Sequence, residues 1–109
     1  MNLFIQGSAE QDILRQIEWY AEKGLPAIAR RFHAAALDAI DALVAMPGAG
    51  PPKLTGNPRL SGLRSWPVKG FDEFHVYYLV RPELLTIVRV LHGRRDIGTI
   101  LDSPELDER

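Results

Sequence analysis

The chain has 109 residues, of which 46% are hydrophobic and 25% are charged, and its formal net charge is −1. This length and apolar content predict one domain over residues 1–109 with a core of its own. The absence of cysteine excludes disulfides and thiolate metal sites. No apolar run approaches a membrane span and no secretory leader is visible, so we expect a cytoplasmic protein without membrane contact. The charge balance argues against direct DNA binding by this chain alone.

The N-terminal residues predict a short strand followed by a helix. Leu3-Phe4-Ile5 is an apolar run that stops at Gly7, which is typical of a strand. Ser8, with Gln11 three residues later, forms a capping-box pattern that predicts the first turn of a helix. Lys23-Gly24 supplies a cation in the last turn and a glycine just beyond it, so we expect the helix to end there.

A second helix is predicted directly after the first. Pro26 suits the first helical position, and an apolar stripe continues to Met46 before Pro47-Gly48. Because the connection is so short, the two helices should form an antiparallel hairpin. Residues 47–62 are rich in proline and glycine and predict a long loop, either a mobile functional segment or a crossover back to the sheet.

Three further strands and a terminal turn complete the prediction. We expect strands at Leu63–Val68, Phe74–Val80 and Leu85–His92, and a helical turn at Ile97–Leu101. The predicted class is therefore α+β. It begins with an N-terminal strand, followed by an antiparallel helical hairpin that packs on one face of a small, mainly antiparallel four-stranded sheet. A short C-terminal helical turn ends the domain.

The tight turn between the last two strands predicts their register. If Val80 faces Leu85, then His75 faces Val90 and Val76 faces Arg89. The face that carries Val76 has the larger apolar side chains, so we assign it to the core beneath the hairpin. Arg89 falls on that face and fits it only if its stem is buried at the edge of the core.

The opposite face of the sheet predicts a partner site. Two helices cover only one side of four strands, so four apolar residues should form an exposed patch. The predicted patch consists of Tyr77, Leu79, Val88 and Val90. The alternative is that the turn at Ile97–Leu101 folds across this face.

The polar residues at the end of the last strand are the candidate for chemistry. In the predicted register His75 and His92 are diagonal neighbours, with Arg94 and Arg95 close by. Such a group could cleave a phosphodiester by general acid–base catalysis without a metal. The alternative is two strand histidines without a catalytic role, with Asp96 as the helix cap for the turn that follows. No metal-ligand spacing or phosphate-binding loop is visible, so we expect neither metal nor cofactor.

The order of elements and several specific residues resemble the ParE/RelE superfamily of toxins from bacterial type II toxin–antitoxin systems, more closely the ParE branch. The resemblance covers approximately residues 2–101. Its most specific part is the run Arg89-Val90-Leu91-His92-Gly93 with Arg95-Asp96-Ile97. Further matches are Ala9, Asp12, Ile13, Tyr20, Gly24, Phe32, Leu63-Arg64 and Tyr77-Tyr78.

The resemblance implies a toxin that is made together with a small antitoxin whose C-terminal segment wraps it. In the ParE branch the implied activity is inhibition of DNA gyrase, and in the RelE branch it is mRNA cleavage on the ribosome. The ribonucleases use basic residues on their third and fourth strands and often a C-terminal tyrosine. Arg95 matches their strand-end arginine, but His75 stands where an arginine is common and no tyrosine follows Tyr78.

We therefore expect a non-catalytic gyrase inhibitor that forms a hetero-oligomer with a ParD-like, ribbon-helix-helix antitoxin. The expected antitoxin-binding residues are those of the sheet patch defined above. The expected target-recognition residues are Arg64, Arg94, Arg95 and Asp96. The alternatives are a metal-independent endoribonuclease that uses His75, His92, Arg94 and Arg95, and a non-toxic relative that retains only antitoxin binding.

Overall fold

The computed structural model describes residues 1–95 and 97–101, and it confirms the predicted α+β architecture. The elements in chain order are β1 (Asn2–Ile5), α1 (Gly7–Glu22), α2 (Pro26–Ala45), a 3₁₀ helix (Pro58–Leu60), β2 (Arg64–Val68), β3 (Phe71–Arg81), β4 (Leu84–His92) and α3 (Ile97–Leu101). The strands form one sheet in the order β1-β4-β3-β2. β1 runs parallel to β4, and the other two pairings are antiparallel.

The helical hairpin packs on one face of the sheet. α1 and α2 turn at Gly24, whose φ of 75° is a conformation that glycine adopts without strain. α1 begins at Gly7 and has no side-chain cap, so the capping box predicted at Ser8 and Gln11 is wrong. The Ser8 hydroxyl instead donates to the Val88 carbonyl of β4, which binds the start of the helix to the sheet.

The predicted β3–β4 register is correct near the turn and wrong beyond it. Val80 lies opposite Leu85, as predicted, and the same register continues to Tyr78 opposite Ile87. A bulge then inserts one additional residue in β4, so that Tyr77 lies opposite Arg89 and Val76 opposite Val90. Because side chains alternate along a strand, this single residue moves part of β4 to the other face.

Each face of the sheet has its own buried cluster. The hairpin side contains the main core, to which α1, α2 and all four strands contribute. Its largest buried side chains are Phe32, Ile40, Leu43, Val68, Val76, Tyr78, Leu85 and Ile87. The second face is covered by α3 and by residues around the 3₁₀ helix. Its cluster consists of Leu60, Leu63, Tyr77, Val88, Leu91, Ile97 and Leu101.

The long loop between α2 and β2 forms a crossover back to the sheet, which is the second of the two predicted alternatives. It lies along the outer edge of β2. The Tyr78 hydroxyl donates to the Pro47 carbonyl at 2.8 Å and accepts from the Gly50 amide at 2.9 Å. Further along, Pro52 forms an isolated bridge with Arg64. These bonds use polar groups of the loop and of the edge strand that would otherwise lack protein partners.

Within residues 1–95 and 97–101, no helix has both the length and the apolar content needed to cross a membrane.

Candidate functional site

The bulge in β4 is held by the N-terminal turn of α1. The inserted residue, Val88, is unpaired in the β3–β4 ladder. Its carbonyl accepts from the side-chain Nε2 of Gln6 at 3.2 Å and from the Ser8 hydroxyl at 3.3 Å. A buried carbonyl without a hydrogen-bond partner destabilises the folded state, so the hydrogen bonds from these two side chains stabilise the bulge. The start of α1 therefore determines the shape of the end of β4.

A buried ion pair completes this junction. The Arg89 guanidinium donates two hydrogen bonds of 2.7 Å to the Asp12 carboxylate, which also accepts from the Val90 amide at 3.0 Å. The Asp12 side chain is 3% exposed and that of Arg89 is 19% exposed. The hydrogen bonds that Arg89 donates to Asp12 raise the pKa of Arg89, and burial acts in the opposite direction. All three contacts are structural, so Asp12 has no free oxygen that suggests a catalytic acid.

Sequence reasoning missed this pair although both members gave a signal. Arg89 was the one charged residue on a predicted core face, and Asp12 lies on the apolar side of α1, next to Ile13. A charged residue on each of two packed apolar surfaces is typical of an ion pair between them.

His92 is held by hydrogen bonds at both ring nitrogens. Its Nδ1 accepts from the Arg94 amide at 3.0 Å, so the proton of the neutral ring lies on Nε2, which is 2.8 Å from Glu73 Oε2. The hydrogen bond from His92, and then the charge of Arg94, lower the pKa of Glu73. A histidine engaged in this way has neither nitrogen free to take a proton from a substrate.

The predicted pair of histidines does not exist. His92 lies opposite Phe74 and its ring packs edge-on against that ring, with centroids 5.1 Å apart. His75 lies opposite Leu91 and beside the Tyr77 ring, on the second face. The bulge causes this separation, because it moves His92 to the hairpin side of the sheet. The ribonuclease set of His75, His92, Arg94 and Arg95 is therefore not assembled as predicted.

The prediction of an exposed apolar patch on the second face of the sheet is also wrong. Tyr77 and Val88 are buried beneath α3 and the 3₁₀ helix, and burial raises the pKa of the Tyr77 phenol. Leu79 is half-buried at the margin of that cluster, and Val90 belongs to the main core on the other face. The alternative in which the C-terminal turn covers this face is the one that the structure adopts.

The predicted target-recognition residues fall into two places. Arg94 and Arg95 are exposed at the end of β4, and Arg94 lies 3.5 Å from the Glu73 carboxylate. Arg64 lies on the opposite edge strand and donates to the Gly50 carbonyl at 2.6 Å, so its guanidinium holds the long loop. Asp96, including its predicted role as a helix cap, lies outside the described residues.

A cleft of about 220 Å³ opens between α1 and the ends of β3 and β4, directly beside this corner. Its lining residues are Asp12, Arg15, Gln16, Trp19, Phe74, Val90, Leu91, His92 and Arg95. Arg15 and Trp19 were not predicted to lie in this cleft, because a helical pattern does not show which strand ends lie beside the polar face of the helix. The available sequence signal was a large apolar ring, Trp19, on the polar face of the predicted helix, and the structure leaves this ring half-exposed.

A second, more apolar groove of about 450 Å³ lies between α2 and the edge strand β2. Its lining residues are Ala35, Asp38, Ala39, Ala42, Trp66, Pro67, Lys69 and Asp72. Among the residues that the structure describes, no three histidine or acidic side chains are grouped closely enough to hold a metal ion.

Comparisons with known proteins agree with this architecture. No curated protein matches the sequence. A solved structure described as the chromosomal ParDE toxin–antitoxin system from P. aeruginosa has the same fold, with a TM-score of 0.69 and 22% sequence identity. The match covers 84% of this chain and 95% of that one. The family model described as the ParE toxin of the type II toxin–antitoxin system parDE matches residues 3–97. The chain therefore belongs to the ParE toxin family of type II toxin–antitoxin systems.

Proposed function

We propose that this protein inhibits DNA gyrase and is neutralised by a cognate antitoxin encoded beside it. The antitoxin is a ParD-like ribbon-helix-helix protein, and the two chains form a hetero-oligomer in the cytoplasm. Family membership supports the toxin role, and the similar P. aeruginosa structure is described as a ParDE system.

The arrangement around His92 is the observation that favours gyrase inhibition over RNA cleavage. Acid–base cleavage of a phosphodiester needs two groups that can reach opposite sides of one phosphate. His75 and His92 lie on opposite faces of the sheet, and both nitrogens of His92 are engaged within the chain. The net charge of −1 also favours gyrase inhibition over RNA cleavage, because binding to ribosomal RNA requires many contacts with phosphates.

We place target recognition at the exposed corner formed by Arg94 and Arg95. Both side chains are exposed just beyond β4, where the Arg94 amide donates to His92 Nδ1 and the Arg95 amide donates to the His92 carbonyl. Antitoxin binding at Tyr77 and Val88 would require α3 to move, since both side chains are buried beneath it.

The test is to express the chain without an antitoxin and to assay the purified protein on gyrase. We expect growth arrest, and loss of supercoiling by purified gyrase in proportion to added protein. Arg94→Glu combined with Arg95→Glu should abolish the inhibition, while Arg30→Glu combined with Arg31→Glu, at exposed sites on α2, should preserve it. Arrested cells with fully active gyrase would contradict the proposal.

The ribonuclease alternative makes a different prediction, which concerns His92 and Arg95. If the protein cut mRNA, His92→Ala and Arg95→Ala would each abolish translation-dependent cleavage while the fold remained intact. Primer extension on a reporter transcript after induction detects such cuts directly. Harmless expression of well-folded protein, with neither effect, would instead identify a non-toxic relative.

A further inference from the structure

The cleft between α1 and β4 presents two positively charged side chains at its edge. Arg15 and Arg95 are exposed at its edge, and no carboxylate of the described residues forms an ion pair with either guanidinium. Asp12, which also lines the cleft, has a buried carboxylate that accepts from Arg89 and from the Val90 amide. Glu73, close to the rim, is engaged by His92 and Arg94. Among the residues that the structure describes, those around the cleft thus carry a local excess of positive charge, although the net charge of the chain is −1.

One wall of the cleft is aromatic. Trp19 is 49% exposed, packs edge-on against Tyr20 with centroids 5.4 Å apart, and has the Lys23 ammonium 5.6 Å above its ring. Phe74 lies among the lining residues opposite. A tryptophan beside arginines is the composition typical of the energetic centre of protein–protein interfaces. The Lys23 ammonium also adds a third cation near the cleft.

We infer that the α1–β4 cleft receives an acidic segment of the antitoxin, an inference that rests on the proposed function. Two carboxylates of that segment pair with Arg15 and Arg95, and an apolar side chain packs against Trp19. Charge complementarity selects an acidic peptide, since guanidinium groups pair with carboxylates through two parallel hydrogen bonds.

A nucleic acid fits this surface less well. Strong binding to a phosphate backbone comes from many neutralised phosphates, and the cleft offers only Arg15, Arg95 and the nearby Lys23. An acidic peptide needs only two or three pairs when an aromatic anchor supplies the remaining affinity.

The placement also gives a mechanism of neutralisation. Arg95 lines the cleft and lies next to Arg94 at the corner assigned above to target recognition. A peptide paired with Arg95 therefore covers that corner, so that bound antitoxin and bound target exclude each other.

The experiment measures binding of the full chain to the purified product of the small reading frame adjacent to its gene, by calorimetry. Arg15→Glu combined with Arg95→Glu should weaken binding by about 30-fold or more, and Trp19→Ala by a similar factor. The matched control, Arg30→Glu combined with Arg31→Glu, makes the same change of charge on α2 and should remain within about threefold of the wild type. Arg15→Gln combined with Arg95→Gln removes the two positive charges without reversing them. Circular dichroism verifies that each variant is folded.

Four outcomes overturn the inference. Equal binding by the wild type and the cleft variants, or an equal loss in the α2 control, rejects the cleft while the proposed function stands. Absence of any complex with the wild type rejects the proposed function and this inference with it. A 20-nucleotide single-stranded RNA that binds as tightly as the antitoxin, and loses binding in the cleft variants, assigns the cleft to nucleic acid.

Discussion

Asp12 connects the first helix to the last strand through three hydrogen bonds in a nearly closed environment. Its carboxylate accepts both bonds from Arg89 and one from the Val90 amide. Sequence reasoning placed Asp12 correctly on the helix and Arg89 correctly on the strand. The pairing between them is a contact between residues far apart in the chain, and neither residue alone specifies it.

Removing this carboxylate should destabilise the protein strongly. Asp12→Ala leaves Arg89 without its partner and the buried Val90 amide without an acceptor, so we expect the free energy of unfolding to fall by about 2–4 kcal/mol. Urea denaturation monitored by tryptophan fluorescence measures the change. The control is Asp41→Ala, an exposed carboxylate on α2, which should change stability by no more than about 0.5 kcal/mol. Equal effects of the two substitutions would show that the pair contributes nothing.

The Glu73–His92 contact predicts a measurable shift in titration. The pKa of Glu73 should lie below its ordinary value of 4.5, first because His92 donates to it and second because Arg94 is close. His92→Gln should therefore raise this pKa more than Arg94→Gln does. Carbon-detected NMR of the Glu73 carboxyl group follows both. Upward shifts in the reverse order would assign the effect to Arg94.

The lowered pKa also determines the sign of a dependence on pH. A carboxylate whose folded pKa is depressed contributes stability above its unfolded pKa, and this contribution disappears as pH falls through the folded value. The stability of the wild type relative to Glu73→Gln should therefore decline as pH is lowered from about 4.5. A constant difference across that interval would contradict the assignment.

At the scale of elements, the strands and helices were predictable and the exact pairing of β3 with β4 was not. Tight-turn geometry between Val80 and Leu85 specified the first pairs correctly. Nothing local marks Val88 as an inserted residue, because it stands among other β-branched residues that suit any position in a strand. The bulge is selected instead by Gln6 and Ser8, which reach its carbonyl from another part of the chain.

The long loop between α2 and β2 provides a second prediction at this scale. A Cβ atom at Gly50 would lie 2.7 Å from the Tyr78 hydroxyl and would also collide with the Ser65 carbonyl. Gly50→Ala should therefore displace the loop from its anchor and lower stability by about 1–3 kcal/mol.

Gly48→Ala is the matched control for this substitution. A Cβ atom at Gly48 has nothing within 4 Å, so this change should alter stability by no more than about 0.5 kcal/mol. Thermal unfolding of both variants compares them directly. If Gly50→Ala unfolded at the same temperature as Gly48→Ala, the loop would not be anchored at this point.

For the whole molecule, the sequence predicted a two-layer arrangement but left open what covers the second face of the sheet. Five residues of α3 are too few to show by periodicity where their apolar side packs. In the folded chain, Ile97 and Leu101 close over Tyr77 and Val88, together with Leu60 and Leu63 from the segment before β2. The apolar surface that was expected to bind a partner is therefore covered by other segments of the same chain.

Opening that cover should affect both stability and the ionisation of Tyr77. Ile97→Ala combined with Leu101→Ala removes buried apolar groups, so we expect a loss of about 2–4 kcal/mol of unfolding free energy. Leu54→Ala, at a side chain that is 93% exposed, controls for the loss of apolar atoms and should be nearly neutral. Because burial holds the Tyr77 pKa above 10.0, the double variant should also bring that pKa down, as followed by NMR of the phenol ring. An unchanged Tyr77 titration in a destabilised double variant would show that Leu60 and Leu63, rather than α3, keep water from the second face of the sheet.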